Sequence, residues 1–504
     1  MNDAMDRPHY HPRGSGVLLI SSPHALVWLI MGLALVLRLL YLGRDSLWID
    51  EALSVVKARL PWPAFLGYVI RYDPSMPLYY ALLHLWLYLG DSEFAIRLLS
   101  VIPAVLTIPV LYALGSRLFG ARVGVISALV LALNAFHLNH SQEARTYSLL
   151  VLLVTLSSLC FVRAVEEPSR RRWVWYAVVS AAAVYGHLFG ALVPVAHGTA
   201  LLFRRFREVP WRSALGSAAA VGLLAAPLGM VLLIRDVWEL GWYDRQPGLL
   251  SIVRRFYVLT GGAVPLLVYG AAALVATWVA VGAWRGEWGS VRAWRLGVVY
   301  AWLVVPVALA FVVSFYSPVF ISRYLIIVLP ALVLLAAVGL DALPSRQLVA
   351  AAAVVFVMVS GQSAVAYYRE PPLENWRDAA RHVLSQARDQ DAVIVYIAEA
   401  RPAFEYYRDR LRGDGGGPTV AFPPPAPGIG LAPTWTERKP DAVLLNEVAR
   451  RYRRVWLVLS HDEVEGLGRQ EASRAIQAFL ASRYPFRSET RFEDVRVVLF
   501  GRNP

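Results

Sequence analysis

The feature that most constrains this chain is a succession of apolar blocks, each roughly 17 to 25 residues long, a length that crosses the hydrocarbon core of a bilayer as a helix. Short polar or arginine-rich turns separate the blocks. With 57% hydrophobic and only 17% charged residues over 504 positions, the chain is too apolar for a soluble protein of its length. An α-helical polytopic membrane protein is expected. The first block, His24 to Leu42, has a length that would also suit a signal peptide. It is followed by Trp48 and two acids rather than a small-residue cleavage site, so it reads as a retained span. Cys160 is the single cysteine, which excludes an internal disulfide and a cysteine-based zinc cluster. The net charge of +13 is mostly arginine placed between blocks. There it orients spans and meets lipid headgroups, and no nucleic-acid partner is expected.

The strongest basic clusters are "RRRW" (170–173), "RRFREVPWR" (204–212) and "WRGEWGSVRAWR" (284–295), with "GSRLFGAR" (115–122) joining them. The positive-inside rule assigns all four to the cytoplasm. About eleven spans then fit: 24–42, 96–115, 122–139, 147–163, 173–189, 190–203, 213–234, 257–281, 296–315, 324–340 and 347–365. The N-terminus is expected inside the cell, at an inner (plasma) membrane, and the C-terminus outside.

"MPLYYALLHLWLYLG" (76–90) is apolar over only about 14 residues, the range of an interfacial or re-entrant helix. A full crossing there would invert the next two loops. Residues 44–95 therefore read as one outer loop with two surface-lying helices, about 51–60 and 77–90. Beyond Ala366 no run is long enough to cross a membrane. Residues 367–504 read as a separate extracytoplasmic α/β domain, with 1–366 forming the transmembrane domain. Its pattern gives an amphipathic helix, a buried strand and a second helix over 375–407. Strands follow at 455–460 and 495–501, helices at 441–452 and 470–483, and a loop at 423–433.

Three polar clusters fall on the outer side: "DSLWIDEALS" (45–54), "HLNHSQEARTY" (137–147) and "SPVFISRY" (317–324). Such an arrangement suits chemistry on a molecule partly in lipid and partly in water. The stretches "WIDEA", "DPSMPLYYALLHLW", "EFAIRLLS", "SRLFGARVGVISALVLALNAFHLNHSQEARTYSLL" and "SRYLIIVLPAL" together resemble the integral-membrane glycosyltransferases of the GT-C fold. The branch they are most similar to holds bacterial protein O-mannosyltransferase-like and lipid A aminoarabinose transferase-like enzymes. The resemblance covers about residues 24–165 and 315–345, and is thin in the middle spans and the C-terminal domain. It implies a polyprenyl-phosphate sugar donor, transfer on the outer face, and a central catalytic role for the outer-loop acid, here Asp50. In one place the chain departs from the pattern. Relatives commonly carry His or Lys two residues before the proline that opens "PLYY", where this chain has Ser75, and Arg71 is the nearest cation in sequence.

Sugar transfer from a lipid phosphate breaks the bond between the anomeric carbon and a phosphate oxygen as an acceptor hydroxyl attacks. The transition state resembles an oxocarbenium ion, which a carboxylate stabilises. A carboxylate must also take the acceptor's proton, and the departing phosphate needs forked cationic donors. Asp50 is the expected base, with Glu51 positioning it or binding metal. Arg145, Arg323 and Arg71 are the candidates for donor phosphate. Glu143 could orient Arg145 or, with His137 and His140 at three-residue spacing, ligate a divalent cation (Mg, Mn or Zn). Tyr79, Tyr80 and Tyr324 are aromatic candidates for substrate contact or interface anchoring. Blander roles compete. Asp50 and Glu51 also suit an ordinary helix start, worth about 1 kcal/mol. Asp45 suits a turn, Arg38 snorkelling, and His84, His187 and His197 structural hydrogen bonds. The expected function is an inverting glycosyltransferase acting on a lipid, polysaccharide or protein acceptor. The alternatives are a multi-pass transporter or flippase of lipid-linked saccharides, which would more often show internal repeats and charges at the bilayer midplane, and a scaffold presenting the C-terminal domain.

Overall fold

A computed structural model describes residues 22–234, 247–286, 289–413, 417–424, 440–463 and 469–502. In chain order its helices are α1 (Pro23–Leu39), α2 (Ile49–Ala58), α3 (Trp62–Arg71), α4 (Pro77–Trp86), α5 (Glu93–Phe119), α6 (Ala121–Leu133), α7 (Ala135–Ser141), α8 (Tyr147–Glu166), α9 (Arg170–Gly186), α10 (Leu192–Ala200) and α11 (Trp211–Ile234). They continue with α12 (Leu249–Thr260), α13 (Ala263–Gly286), α14 (Val291–Val313), α15 (Leu329–Asp341), α16 (Arg346–Arg369), α17 (Trp376–Gln386), α18 (Arg401–Arg412), α19 (Ala442–Arg451) and α20 (Arg469–Arg483). The strands are β1 (Ala392–Tyr396), β2 (Thr419–Phe422), β3 (Arg454–Ser460), β4 (Phe486–Phe492) and β5 (Val495–Gly501).

Seven helical segments are each long and apolar enough to cross a bilayer: α5, α8, α11, α13, α14, Tyr324–Asp341 ending in α15, and α16. α6 and α7, joined at a 60° bend, have span length together. The shorter α1, α9 and the 188–203 segment around α10 fall at the remaining expected positions. The chain is a polytopic membrane protein with the expected all-helical bundle and C-terminal sheet. Bundle packing relies on small residues where helices meet closely. A Cβ on Gly339 of α15 would overlap the Ala272 carbonyl of α13.

The basic turns gather at one end of the bundle. Arg117 binds Glu166 at 2.6 Å and Glu167 at 2.5 Å, and Arg172 reaches Glu167 at 2.5 Å. Arg295 joins Glu166 at 2.8 Å and the Leu118 carbonyl at 3.1 Å. Arg122 pairs with Asp341 at 3.1 Å. The 45–54, 137–147 and 317–324 segments meet at the opposite end, against the C-terminal residues.

Four local expectations are corrected. The 44–95 segment holds three helices, α3 being the unforeseen one, and α4 has ten residues rather than fourteen. At a rise of about 1.5 Å per residue α4 is far too short to cross a membrane. The expected span 257–281 is divided: Gly261 and Gly262 carry φ of 92° and 131°, a left-handed break that glycine tolerates. It separates amphipathic α12 from α13. Strands β2 and β4 were not foreseen. The expected loop 423–433 lies, from residue 425 onward, outside the described residues.

The sheet has order β2-β1-β3-β5-β4, with β1 parallel to β2 and β3, and β5 antiparallel to β3 and β4. β1 and the body of β3 are buried, as strands covered on both faces are. The apolar core around this sheet is continuous with Leu47, Ala52, Val55, Phe65, Tyr80 and Leu83 of the 44–95 segment. A second core fills the membrane bundle. The 44–95 segment and the C-terminal residues thus share one hydrophobic core, which fixes the start of α2.

Candidate active site

α2 begins at Ile49, and its second residue is Asp50, whose carboxylate is one-quarter exposed. Arg323 reaches Asp50 Oδ2 at 3.1 Å and Arg145 NH2 approaches the same oxygen at 3.5 Å. Arg145 NH1 also donates to the Asp50 carbonyl at 3.2 Å and to Ser54 Oγ at 3.3 Å, and Ser54 donates back to the Asp50 carbonyl at 2.8 Å. The carboxylate is therefore shared by two guanidinium forks drawn from the other two polar clusters. Burial works against the charged form of Arg145, but Asp50 together with Tyr147 and Tyr80 outweighs it and holds the arginine protonated well above its usual range. Burial acts the same way on Arg323, where Tyr147 and Asp50 together reverse it. The Nε–H groups of both arginines are buried and make no hydrogen bond among the described residues. Buried donors are nearly always satisfied, so each fork has a hydrogen bond to gain by regrouping around a further acceptor. Tyr147 and Tyr324 lie beneath the forks, their ring centroids 6.0 Å and 5.8 Å from the Arg145 and Arg323 Cζ atoms. Tyr324 also packs against His187 and Phe189.

Glu51 does something else. It is fully buried and paired with Arg97 through two bonds of 2.8 Å and 2.7 Å. Its oxygens further accept from Ala144 N at 2.7 Å and Trp48 N at 3.3 Å. Four donors occupy both oxygens, so Glu51 has no capacity left for a proton or a metal. Of the two roles expected for Glu51, positioning Asp50 or binding metal, these bonds leave no room for metal and are those of an anchor. It ties α2 to α5 and to the 137–147 segment.

The expected metal set does not converge. His137 Nδ1 accepts from Arg38 at 2.9 Å, while His140 Nδ1 and Glu143 Oε2 pair with each other at 2.8 Å. The 60° bend at Asn134 turns α7 out of the axis of α6, and the Asn134 side chain caps it by accepting from His137 N at 2.8 Å. Among the described residues no three His, Cys, Asp or Glu side chains gather as a metal site. Arg38 is fully buried and bound to the Ala34 and Ala132 carbonyls, so it does not snorkel.

Arg71 sits exposed at the end of α3, and the side chains paired with Asp50 among the described residues are Arg145 and Arg323 instead. The cation that the fold brings near Ser75 is Lys57. It binds Asp73 at 2.6 Å and Tyr80 Oη at 3.2 Å, and Ser75 donates to the other oxygen of Asp73. Burial opposes the charge on Lys57, but Asp73 and Tyr80 outweigh it and keep the amine protonated. Tyr79 and Tyr80 are almost fully buried. Tyr79 bonds Ser100 at 3.0 Å and Tyr80 bonds Lys57 and Asp73, so neither is a surface contact. No periodicity marks Lys57, Asp73 or Arg97 as site neighbours. They come together only through the packing of α2, α4 and α5.

The C-terminal residues reach the same loop. Glu374 Oε2 accepts from Ile49 N at 3.0 Å, Leu47 N donates to Tyr407 Oη at 2.7 Å, and Arg377 donates to the Arg44 carbonyl at 2.8 Å.

A family model described as dolichyl-phosphate-mannose-protein mannosyltransferase matches residues 73–232, which include Arg145. Comparison with curated proteins finds no match. Among solved structures, ArnT from Cupriavidus metallidurans in the apo state is similar at 15% identity and a TM-score of 0.64, covering 95% of this chain and 98% of that one. ArnT bound to undecaprenyl phosphate is similar over the same shares with a TM-score of 0.59. The apo oligosaccharyltransferase of Archaeoglobus fulgidus is similar at 12% identity and a TM-score of 0.50, covering 88% of this chain and 70% of that one. The fold is the GT-C fold, and the resemblance read from the sequence is borne out.

Proposed function

We propose that the chain transfers a sugar from a polyprenyl-phosphate donor to an acceptor hydroxyl at the outer face of a plasma membrane. The observation that carries this reading is one accessible carboxylate held between two arginines whose buried Nε–H groups are unused. Arg145 and Arg323 grip Asp50 in the donor-free state. An arriving phosphate, richer in acceptor oxygens, draws both forks to itself and satisfies the idle donors. That exchange frees the Asp50 carboxylate to take the acceptor's proton as the hydroxyl attacks the anomeric carbon. The bond to the phosphate oxygen breaks, and the arginines absorb the charge that develops there. A single displacement of this kind inverts the anomeric centre. Lys57 supplies a further positive charge beside Ser75, although its partner Asp73 neutralises much of it at rest.

Lipid-linked donors suit the setting. The site opens where polar loops meet the span ends, and the basic end of the bundle lies opposite. The positive-inside rule places that basic end in the cytoplasm and the site outside. The bound undecaprenyl phosphate of the ArnT structure has the same donor-lipid chemistry. Acceptors of three kinds suit the reaction: lipid, polysaccharide or protein hydroxyls.

The test is purified full-length protein with a panel of polyprenyl-phosphate sugars, measuring release of polyprenyl phosphate with and without acceptor extracts. Release from one donor class is expected. Donor movement across reconstituted vesicles without any release would overturn the transferase reading in favour of a flippase.

A further inference from the structure

Glu374 lies in the link between α16 and α17 and is 2% exposed. A carboxyl group buried this deeply requires partners, and its partners are informative. Oε2 accepts from Ile49 N at 3.0 Å and from the Trp376 indole N–H. Ile49 is the first residue of α2, so Glu374 caps from a distance of more than 300 positions the helix that carries Asp50. Its own carbonyl accepts from Ser46 Oγ at 2.6 Å, and Ser46 Oγ accepts from Trp376 N at 3.1 Å. The other carboxyl oxygen, Oε1, faces His461 Nε2 at 3.6 Å. His461 follows β3 with a φ of 54°, an uncommon left-handed conformation for a residue other than glycine. Its Nδ1 is 2.9 Å from Ser460 Oγ. The C-terminal ends of the parallel strands β1 and β3 therefore face the start of α2, the edge of an α/β sheet where ligands and functional side chains commonly gather.

We propose that Glu374, backed by His461, is a positioning residue through which the C-terminal residues set the orientation of Asp50. The inference rests on the reading of Asp50 as the acting base. Glu374 does not face the arginine forks, and nothing in its geometry suits donor binding. What it fixes is the first turn of α2. On the membrane side the same stretch is held by Arg97, which donates to the Leu42, Asp45 and Ser46 carbonyls at 3.1, 2.9 and 2.9 Å. The first turn of α2 is thus gripped from both sides, with Glu374 holding the residue just before Asp50 and Arg97 the residue just after it.

Titration supports the geometry. Burial pushes the Glu374 carboxyl up to about 8, with the charges of Asp50 and Asp494 adding to the rise. The charged and titratable groups facing it are Asp50 on α2, His461 after β3 and Asp494 between β4 and β5. Behind His461 lie Asp462 and Arg469. In its neutral form Glu374 holds α2 by hydrogen bonds alone. Above it, a second negative charge stands beside Asp50.

The test measures kcat, KM and donor affinity of the full chain for wild type, Glu374→Ala and Glu374→Gln, with hydrogen exchange of residues 45–54 read in parallel. Glu374→Ala should lower kcat about 10- to 100-fold, the range general-base misplacement would span, leave donor affinity within about twofold and speed exchange at 45–54. Glu374→Gln keeps an oxygen acceptor for both N–H groups, so it should retain activity within a few-fold. Wild-type activity should fall as pH rises through about 8, and the Gln variant should lack that fall. Wild-type kcat and unchanged 45–54 exchange in Glu374→Ala would overturn the proposal. Exchange raised across the whole chain would also overturn it, since that marks a merely structural role. Should wild type itself prove inactive on every donor, the transferase reading fails, and the exchange result still decides whether Glu374 fixes the α2 turn.

Discussion

Asp50 is one carboxylate facing two guanidinium groups, so the resting site carries an excess positive charge waiting for an anion. Arg145 and Arg323 are therefore expected to govern donor affinity rather than the proton step. Arg145→Ala and Arg323→Ala should each weaken polyprenyl-phosphate binding about 10- to 100-fold, the loss expected for a charge-assisted bond of about 1.5–3 kcal/mol. Arg145→Lys should restore little, because an ammonium cannot reproduce the planar fork that reaches both the phosphate and the Asp50 carbonyl. Isothermal titration or a fluorescent lipid displacement assay checks this, and unchanged affinity in both alanine variants would remove the arginines from the donor site. Asp50, Arg145 and Arg323 were legible in the sequence because all three stand in polar clusters at span ends. Glu51 was misread for a physical reason: adjacent helix positions point about 100° apart. The neighbour of an accessible acid thus faces inward, where Arg97 meets it. Arg38 and the Tyr79–Tyr80 pair were misread alike, as interfacial groups, when the fold buries them.

At the scale of elements, α2 is the part whose placement decides everything else. It is only ten residues long, too short to be stable alone in water, so its position comes from tertiary contacts. The buried Arg97–Glu51 pair fastens it to α5, and Ala144 N and Trp48 N complete the shell. Removing one partner of such a pair leaves an uncompensated buried charge, so Arg97→Ala should destabilise the fold by about 3–5 kcal/mol. Thermal unfolding in detergent would show it, together with a loss of activity despite an intact Asp50. A melting temperature equal to wild type would contradict the anchoring role. The spans were readable because their period and length are local properties. The break at Gly261–Gly262 left a visible signal, two consecutive glycines, but the apolar run continued through it and hid the boundary. α3 and β2 are short, ten and four residues, and they gain their order from the shared core rather than from their own residues.

For the molecule as a whole, charge and polarity are sorted along the bundle axis. Arginine-rich turns tied by Glu166, Glu167 and Asp341 occupy one end, and the carboxylate-arginine site occupies the other, under the C-terminal sheet. The sequence announced both ends, since loop charge is countable. It could not announce that the C-terminal residues share a core with the 44–95 segment, because that contact joins positions more than 300 residues apart. In the proposed reaction Asp50 performs the proton step at an arginine-held donor phosphate. Single-turnover release of polyprenyl phosphate by Asp50→Asn beside wild type, with donor binding measured on the same samples, tests this step alone. Donor binding should stay within a few-fold of wild type and release should slow by about a hundredfold or more, the scale of a lost general base. Release at the wild-type rate from a donor-saturated Asp50→Asn variant would contradict it.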